Sequence, residues 1–207
     1  MRELLLIGLT LCAGCAGTPL PESTPIESEE VRIFLHGRLV EYQSQPRVIE
    51  RATMSLGGEE YALTLYAARE DGGRLRLAAV SDLGTTLFGV EVGPRGVVVL
   101  QTTEDFPGKM LERIALDQAV ALVPPLLAEV RPVRLADGQT AVAYEHFGCE
   151  VLACVAKGEG RLRLWRGRDG ELRSTLLLGG ERVLEVLEIE AVDGSYSAWI
   201  DVEPWGS

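Results

Sequence analysis

Short turn signals recur along most of this 207-residue chain at nearly constant spacing, and they restrict it to a sheet joined by hairpins. Gly57-Gly58, Asp71-Gly72-Gly73, Asp82-Leu83-Gly84 and Gly93-Pro94 divide a first run. Asp137-Gly138, Gly158-Glu159-Gly160, Asp169-Gly170, Gly179-Gly180 and Asp193-Gly194 divide a second. These are the residue types that tight reversals demand. The stretches between them predict strands over residues 48–56, 61–69, 74–80, 85–92 and 96–102. The second run predicts 131–135, 140–146, 150–156, 161–166, 171–178, 182–190 and 196–203. About 11 to 12 strands with hairpin-length connections form an antiparallel meander, since parallel neighbours need crossovers of about a dozen residues or more. Leu75 and Leu77 alternate with Arg74 and Arg76, and Tyr196, Ala198, Ile200 and Val202 alternate with Ser195, Ser197, Trp199 and Asp201. That pattern gives one apolar face and one wet face. No longer repeat of the propeller kind is present.

One stretch breaks the rhythm. Residues 106–130 read as a helix, with Pro107 suited to a first turn and Asp105 placed to cap it. Met110, Leu111, Ile114, Leu116, Val120, Leu122 and Val123 leave few wet positions, so the helix is expected to be buried. Pro124-Pro125 stops or kinks it. The expected fold is mainly β with α: a curved antiparallel half-barrel whose open side is covered by this central helix. Leu111, Ile114 and Leu122 are then candidates to line a ligand cavity between helix and sheet.

The chain is 46% hydrophobic, enough for one core, and residues 31–207 are assigned to a single domain. A net charge of −11 without a Lys/Arg cluster argues against nucleic acid as a partner. Residues 1–14 read as a signal with Arg2, an apolar core from Leu4 to Leu11, and Ala13-Gly14 before Cys15. This matches a lipobox, so Cys15 is the expected lipidation site, carrying palmitate-type acyl chains; a non-cleaved apolar N-terminus or an ordinary secretory signal is the alternative. The apolar run is too short to span a bilayer, which needs ~20 residues. Ala16 after the cysteine favours the outer membrane as destination. Residues 15–30, rich in Pro, Ser, Thr and Glu, read as a disordered tether. Residues 31–42 fit either a short helix capped by Ser28 or the start of a strand.

The order of lipobox, tether, meander, helix and second meander resembles the LolA/LolB-like superfamily of periplasmic lipid-handling half-barrels, over about residues 33–203. More narrowly, Leu83-Gly84-Thr85-Thr86-Leu87-Phe88, and Asp117 seven residues before Pro124, are similar to outer-membrane lipoproteins encoded beside aryl-polyene-type fatty-acid synthase clusters. Gln118-Ala119-Val120 and Val123 depart from that family's Leu-Gln-Leu and Trp. The resemblance implies a periplasm-facing, lipid-anchored protein that binds a lipid or acyl chain and helps to place it in the envelope. It carries over no catalytic residues. Exchange with a periplasmic carrier protein and a monomeric state are expected with it. The alternative is a structural lipoprotein with a filled core. In LolB-like relatives a protruding apolar loop residue meets the membrane. Leu83 is the candidate here, unless it folds back onto the sheet edge.

The remaining candidates are sparse. His36 and His146 stand in neither nucleophile-elbow nor zinc spacing, so no enzyme, metal or cofactor is expected. Cys149 and Cys154 are five steps apart, ~16 Å along an extended strand, so a disulfide would require a bend; two separate thiols are the alternative. Asp117 in an apolar helix either points out at a seam, pairs with Arg113 one turn earlier, or hydrogen-bonds a ligand head group at a cavity mouth. Trp165, Trp199 and Trp205 read as packing or rim residues.

Overall fold

The computed structural model describes residues 17–104, 106–156, 160–181 and 183–205. The signal over residues 1–14, the Cys15 anchor and the Asp105 cap lie outside the described residues. Among those described, the first meander is β2 (Arg47–Leu56), β3 (Glu59–Glu70), β4 (Arg74–Ser81), β5 (Thr86–Gly93) and β6 (Gly96–Thr102). The second comprises β7 (Arg131–Leu135), β8 (Thr140–His146), β9 (Cys149–Val155), β10 (Leu162–Arg168), β11 (Glu171–Gly179), β12 (Val186–Ala191) and β13 (Tyr196–Pro204). A short β1 (Ser23–Pro25), helix α1 (Glu29–Tyr42), helix α2 (Gly108–Leu122) and a single 3-10 turn at Leu127–Glu129 complete the set.

All the strands join one open sheet in the order β1-β7-β8-β9-β10-β11-β12-β13-β2-β3-β4-β5-β6, antiparallel throughout. The two meanders meet along β13 and β2, in a register that runs from Tyr196 opposite Leu56 to Pro204 opposite Val48. Helix α2 connects β6, at one edge, to β7, one strand in from the other edge. It packs on β5, β6 and β11, while α1 packs on β7, β8 and β9.

The sheet curls strongly. Pro94, in the β5–β6 turn, and Phe147 and Gly148, in the β8–β9 turn, line one cleft of about 930 Å³. From β9 to β5 is eight strand steps in the sheet order, which in a flat sheet would be ~38 Å at ~4.8 Å per strand. Only a sheet bent back on itself brings those turns to a common cleft.

Alternation decides what faces inward. Val48, Glu50, Ala52, Met54 and Leu56 of β2 are all buried, while Arg51 and Thr53 between them are exposed. The same parity buries Leu75, Leu77 and Ala79 on β4 and Leu187, Ile189 and Ala191 on β12. These side chains belong to one continuous core with Leu35, Leu39 and Tyr42 of α1. A smaller cluster of Val133, Leu135, Ala141, Leu152 and Cys154, with Trp165 against it, forms a second core.

Residues 31–42 fall within a helix. The Val31 amide donates to Ser28 Oγ at 3.3 Å, and Glu29 and Glu30 occupy the first turn, where negative charge favours a helix N-terminus. Helix α2 has Pro107 at its N-cap with no side-chain cap bond, and it stops at Leu122, just before the Pro124-Pro125 pair. Residues 114–123 are buried without exception, as expected of a helix with so few wet positions.

The tether expectation needs correction over residues 17–30. Pro19 bridges Glu171, the Leu172 amide donates to the Thr18 carbonyl at 2.7 Å, and β1 pairs with β7. The reason lies in the sheet. The edge of β7 would otherwise present unpaired backbone groups, and a short proline-bearing strand satisfies some of them while ending the ladder. This segment also adds a strand to the sheet, which has 13 where about 11 to 12 are legible from the turns.

Candidate functional site

Asp117 is held by the sheet. The α2 backbone turns it toward β10 and β11, where the Arg166 Nε and the Ser174 hydroxyl both donate to its Oδ1. Asp117 and Ser174 have no exposed surface, and Arg166 is 3% exposed. Burial alone would lower the Arg166 pKa, but the Asp117 charge and hydrogen bond outweigh it and hold the guanidinium above its ordinary value. Arg166 Nη1 also lies 3.9 Å from Cys149 Sγ. Of the alternatives for Asp117, the pairing with Arg113 is not the one found. Arg113 is partly exposed and reaches instead to Asp193 and, at 2.8 Å, to Ser195 Oγ in the β12–β13 turn. A seam-facing or solvent-facing Asp117 is likewise excluded by its burial.

Leu111, Ile114 and Leu122 are 2%, 0% and 4% exposed. None of the three borders open solvent; they face the continuous core between α2 and the sheet. The open volume lies beyond the end of α2. Val123, Pro124, His146, Phe147, Gly72 and Pro94 line the cleft, with Glu129, Arg131 and Glu145 also bordering it.

Both histidines touch the segment that follows α2. His36 Nε2 lies 3.0 Å from the Pro125 carbonyl. His146 packs on Phe147 with ring centroids 4.1 Å apart. Burial pushes its pKa down to about 4, only partly opposed by the Glu129 charge and a hydrogen bond to the Val123 backbone. Burial likewise raises the Cys149 thiol. Cys149 and Cys154 are not joined by a disulfide. An odd separation along β9 sends them to opposite faces, Cys149 to the main core and Cys154 to the second cluster.

Leu83 does not fold back. It is 93% exposed at the tip of the β4–β5 turn, where the Gly84 amide closes on the Ser81 carbonyl at 2.8 Å with Gly84 at φ +78°. Trp199 and Trp205 are half-exposed, as rim residues would be.

Two interior residues were not singled out by sequence. Glu50 is fully buried, neither carboxyl oxygen has a partner among the described residues, and burial pushes its pKa up to about 8. Gln118 on α2 is fully buried too, and neither its amide nitrogen nor its oxygen has such a partner. The signal for Glu50 was present: it shares the inward parity of Val48, Ala52 and Met54. Arg166 similarly follows Leu162 and Leu164 on the buried side of β10.

No protein-family model matches the chain, and no curated protein does. Solved structures do. A LolA superfamily protein from Nitrosomonas europaea is 10% identical, and the match covers 84% of this chain and 91% of that one at a TM-score of 0.55. A putative outer membrane lipoprotein-sorting protein domain from Vibrio parahaemolyticus is 12% identical over 84% of this chain and 89% of its own, with a TM-score of 0.46. A DUF1329 family protein from Desulfovibrio piger gives 12% identity, 84% and 90% coverage and a TM-score of 0.43. At 10% identity the likeness to the Nitrosomonas protein is one of fold. Over its described residues the chain is mostly β, with a large open antiparallel sheet and two helices, of LolA-like architecture.

Proposed function

We propose that this protein is a lipid-anchored, periplasm-facing outer-membrane lipoprotein that takes up a lipid or acyl chain between the inner sheet face and α2, and assists its placement in the envelope. In this reading α2 is the cover of the half-barrel, exposed Leu83 is the point of contact with the membrane, and a periplasmic carrier is the donor or acceptor. The kinship with lipoproteins encoded beside aryl-polyene-type fatty-acid synthase clusters belongs to the same proposal, as does the absence of catalysis. The observation that carries it is the curled sheet itself: an apolar inner face wrapped toward a helix, on a LolA-like fold, with a cleft of about 930 Å³ beyond the helix end. In this reading uptake involves a shift of α2, because its core-facing residues are closed off from solvent. Mass spectrometry of an organic extract of the natively purified protein tests this, with a stoichiometric acyl lipid as the expected result. A clean extract, together with no uptake of added acyl probe, rejects it.

One observation favours a second reading. The full burial of Leu111, Ile114 and Leu122 is also what a scaffold with a filled core would have. Under that reading no acyl lipid copurifies and no probe enters.

A further inference from the structure

Glu50 stands in the middle of the longest continuous meander seam. Its strand neighbours across the ladder are Val202 on β13 and Leu65 on β3, and Val48 and Ala52 flank it on the same face of β2. All four are buried and apolar. Buried polar groups in folded proteins nearly always have partners, and one left without them costs free energy that a leucine at the same position would not. A core built only for stability would place an apolar side chain here. Gln118 repeats the situation on α2, with an uncharged donor and acceptor lacking partners in the same buried interior.

The chemistry of Glu50 limits what can satisfy it. Neither carboxyl oxygen has a partner among the described residues, and burial favours the protonated form at neutral pH, so it offers one O–H donor and acceptor capacity without charge. An ionised carboxylate or phosphate brought into this apolar surrounding would be stripped of water. A carbonyl of an ester or amide accepts the Glu50 O–H without that cost.

We propose that Glu50 is the polar contact for the head of a bound acyl chain, donating a hydrogen bond to a neutral ester or amide carbonyl. This rests on the lipid-binding reading above and adds to it the class of ligand: acyl esters or amides rather than free, ionised fatty acids.

Photo-crosslinking in vesicles tests it. The full-length chain in phosphatidylethanolamine vesicles is exposed to diazirine-bearing palmitoyl probes that differ only in the head: methyl ester, carboxylate or primary amine. The wild type should be labelled by the ester about 5-fold more than by the carboxylate, the scale of one hydrogen bond. Glu50→Gln keeps a neutral donor and should retain that preference; Glu50→Leu should abolish it while melting no lower than wild type. An ester preference that persists in Glu50→Leu, or is absent from the wild type, overturns the role of Glu50 and leaves lipid binding standing. Strongest labelling by the amine, lost in both variants, overturns the neutral-carbonyl assignment in favour of an ion-pairing site. A wild type labelled by none of the probes overturns the lipid-binding reading and this inference together.

Discussion

The Arg166 guanidinium donates to the Asp117 carboxylate across the interior, so helix α2 and strand β10 are tied by an ion pair with neither side chain more than 3% exposed. The Ser174 hydroxyl joins the same oxygen from β11. Any motion of α2 away from the sheet must swing about this tie or break it.

Removing one partner should be far worse than removing both. Asp117→Leu or Arg166→Met leaves a buried charge alone and should cost ~3–5 kcal/mol in urea unfolding, whereas the double variant should recover most of that loss. Single variants within ~1 kcal/mol of wild type would show that the pair contributes little.

Stability should fall on the alkaline side of neutrality. Glu50 goes from an ordinary 4.5 to about 8 on burial, so the folded state binds a proton that the unfolded chain has lost, and stability drops as pH rises through that interval. His146 works oppositely: lowered from 6.5 to about 4, it favours the unfolded chain as pH falls through that window. Between about 4.5 and 6.5 the two slopes oppose one another, and from 6.5 to 8 only the Glu50 slope remains. Melting curves of Glu50→Gln should lose the decline from pH 6.5 to 8. An unchanged decline assigns it to other groups.

Leu83 offers a cleaner separation of surface from core. With its side chain 93% exposed, Leu83→Glu should leave the melting temperature within the small range usual for surface changes, while vesicle-to-vesicle transfer of an acyl probe slows. Equal transfer rates for the two proteins would remove Leu83 from the transfer step.

The anchor assignment is tested by the single atom it depends on. Cys15→Ser should abolish metabolic labelling with palmitate and release the protein from the detergent phase. Labelling that survives the substitution places the acyl chain elsewhere.

Much of the fold could be read from local chemistry. Turn dipeptides such as Asp169-Gly170 and Gly57-Gly58 announce reversals, and the stretch from Ile114 to Val123 announces burial, because both depend on a few neighbouring residues. The β1 pairing was not legible, since Ser23-Thr24-Pro25 has no strand pattern of its own and is ordered by the vacant edge of β7. Asp117 stands out in the sequence as a carboxylate in an apolar helix. Its partner was not, because Arg166 lies 49 residues away and meets it only through the curl of the sheet. Glu50 shows the opposite failure: its parity was readable, but its lack of a partner is a property of the assembled interior.

The pairing of β13 with β2 sets the order in which the molecule can be finished. Residues 47–56 are synthesised long before residues 196–204, yet one flank of that strand waits for them. Until then the middle of the sheet is a raw edge, and the first meander presents two unprotected margins, β2 and β6. Chains with such distant pairings fold slowly and are exposed to mispairing while they wait. Loss of β13 therefore opens the centre of the sheet rather than trimming its border.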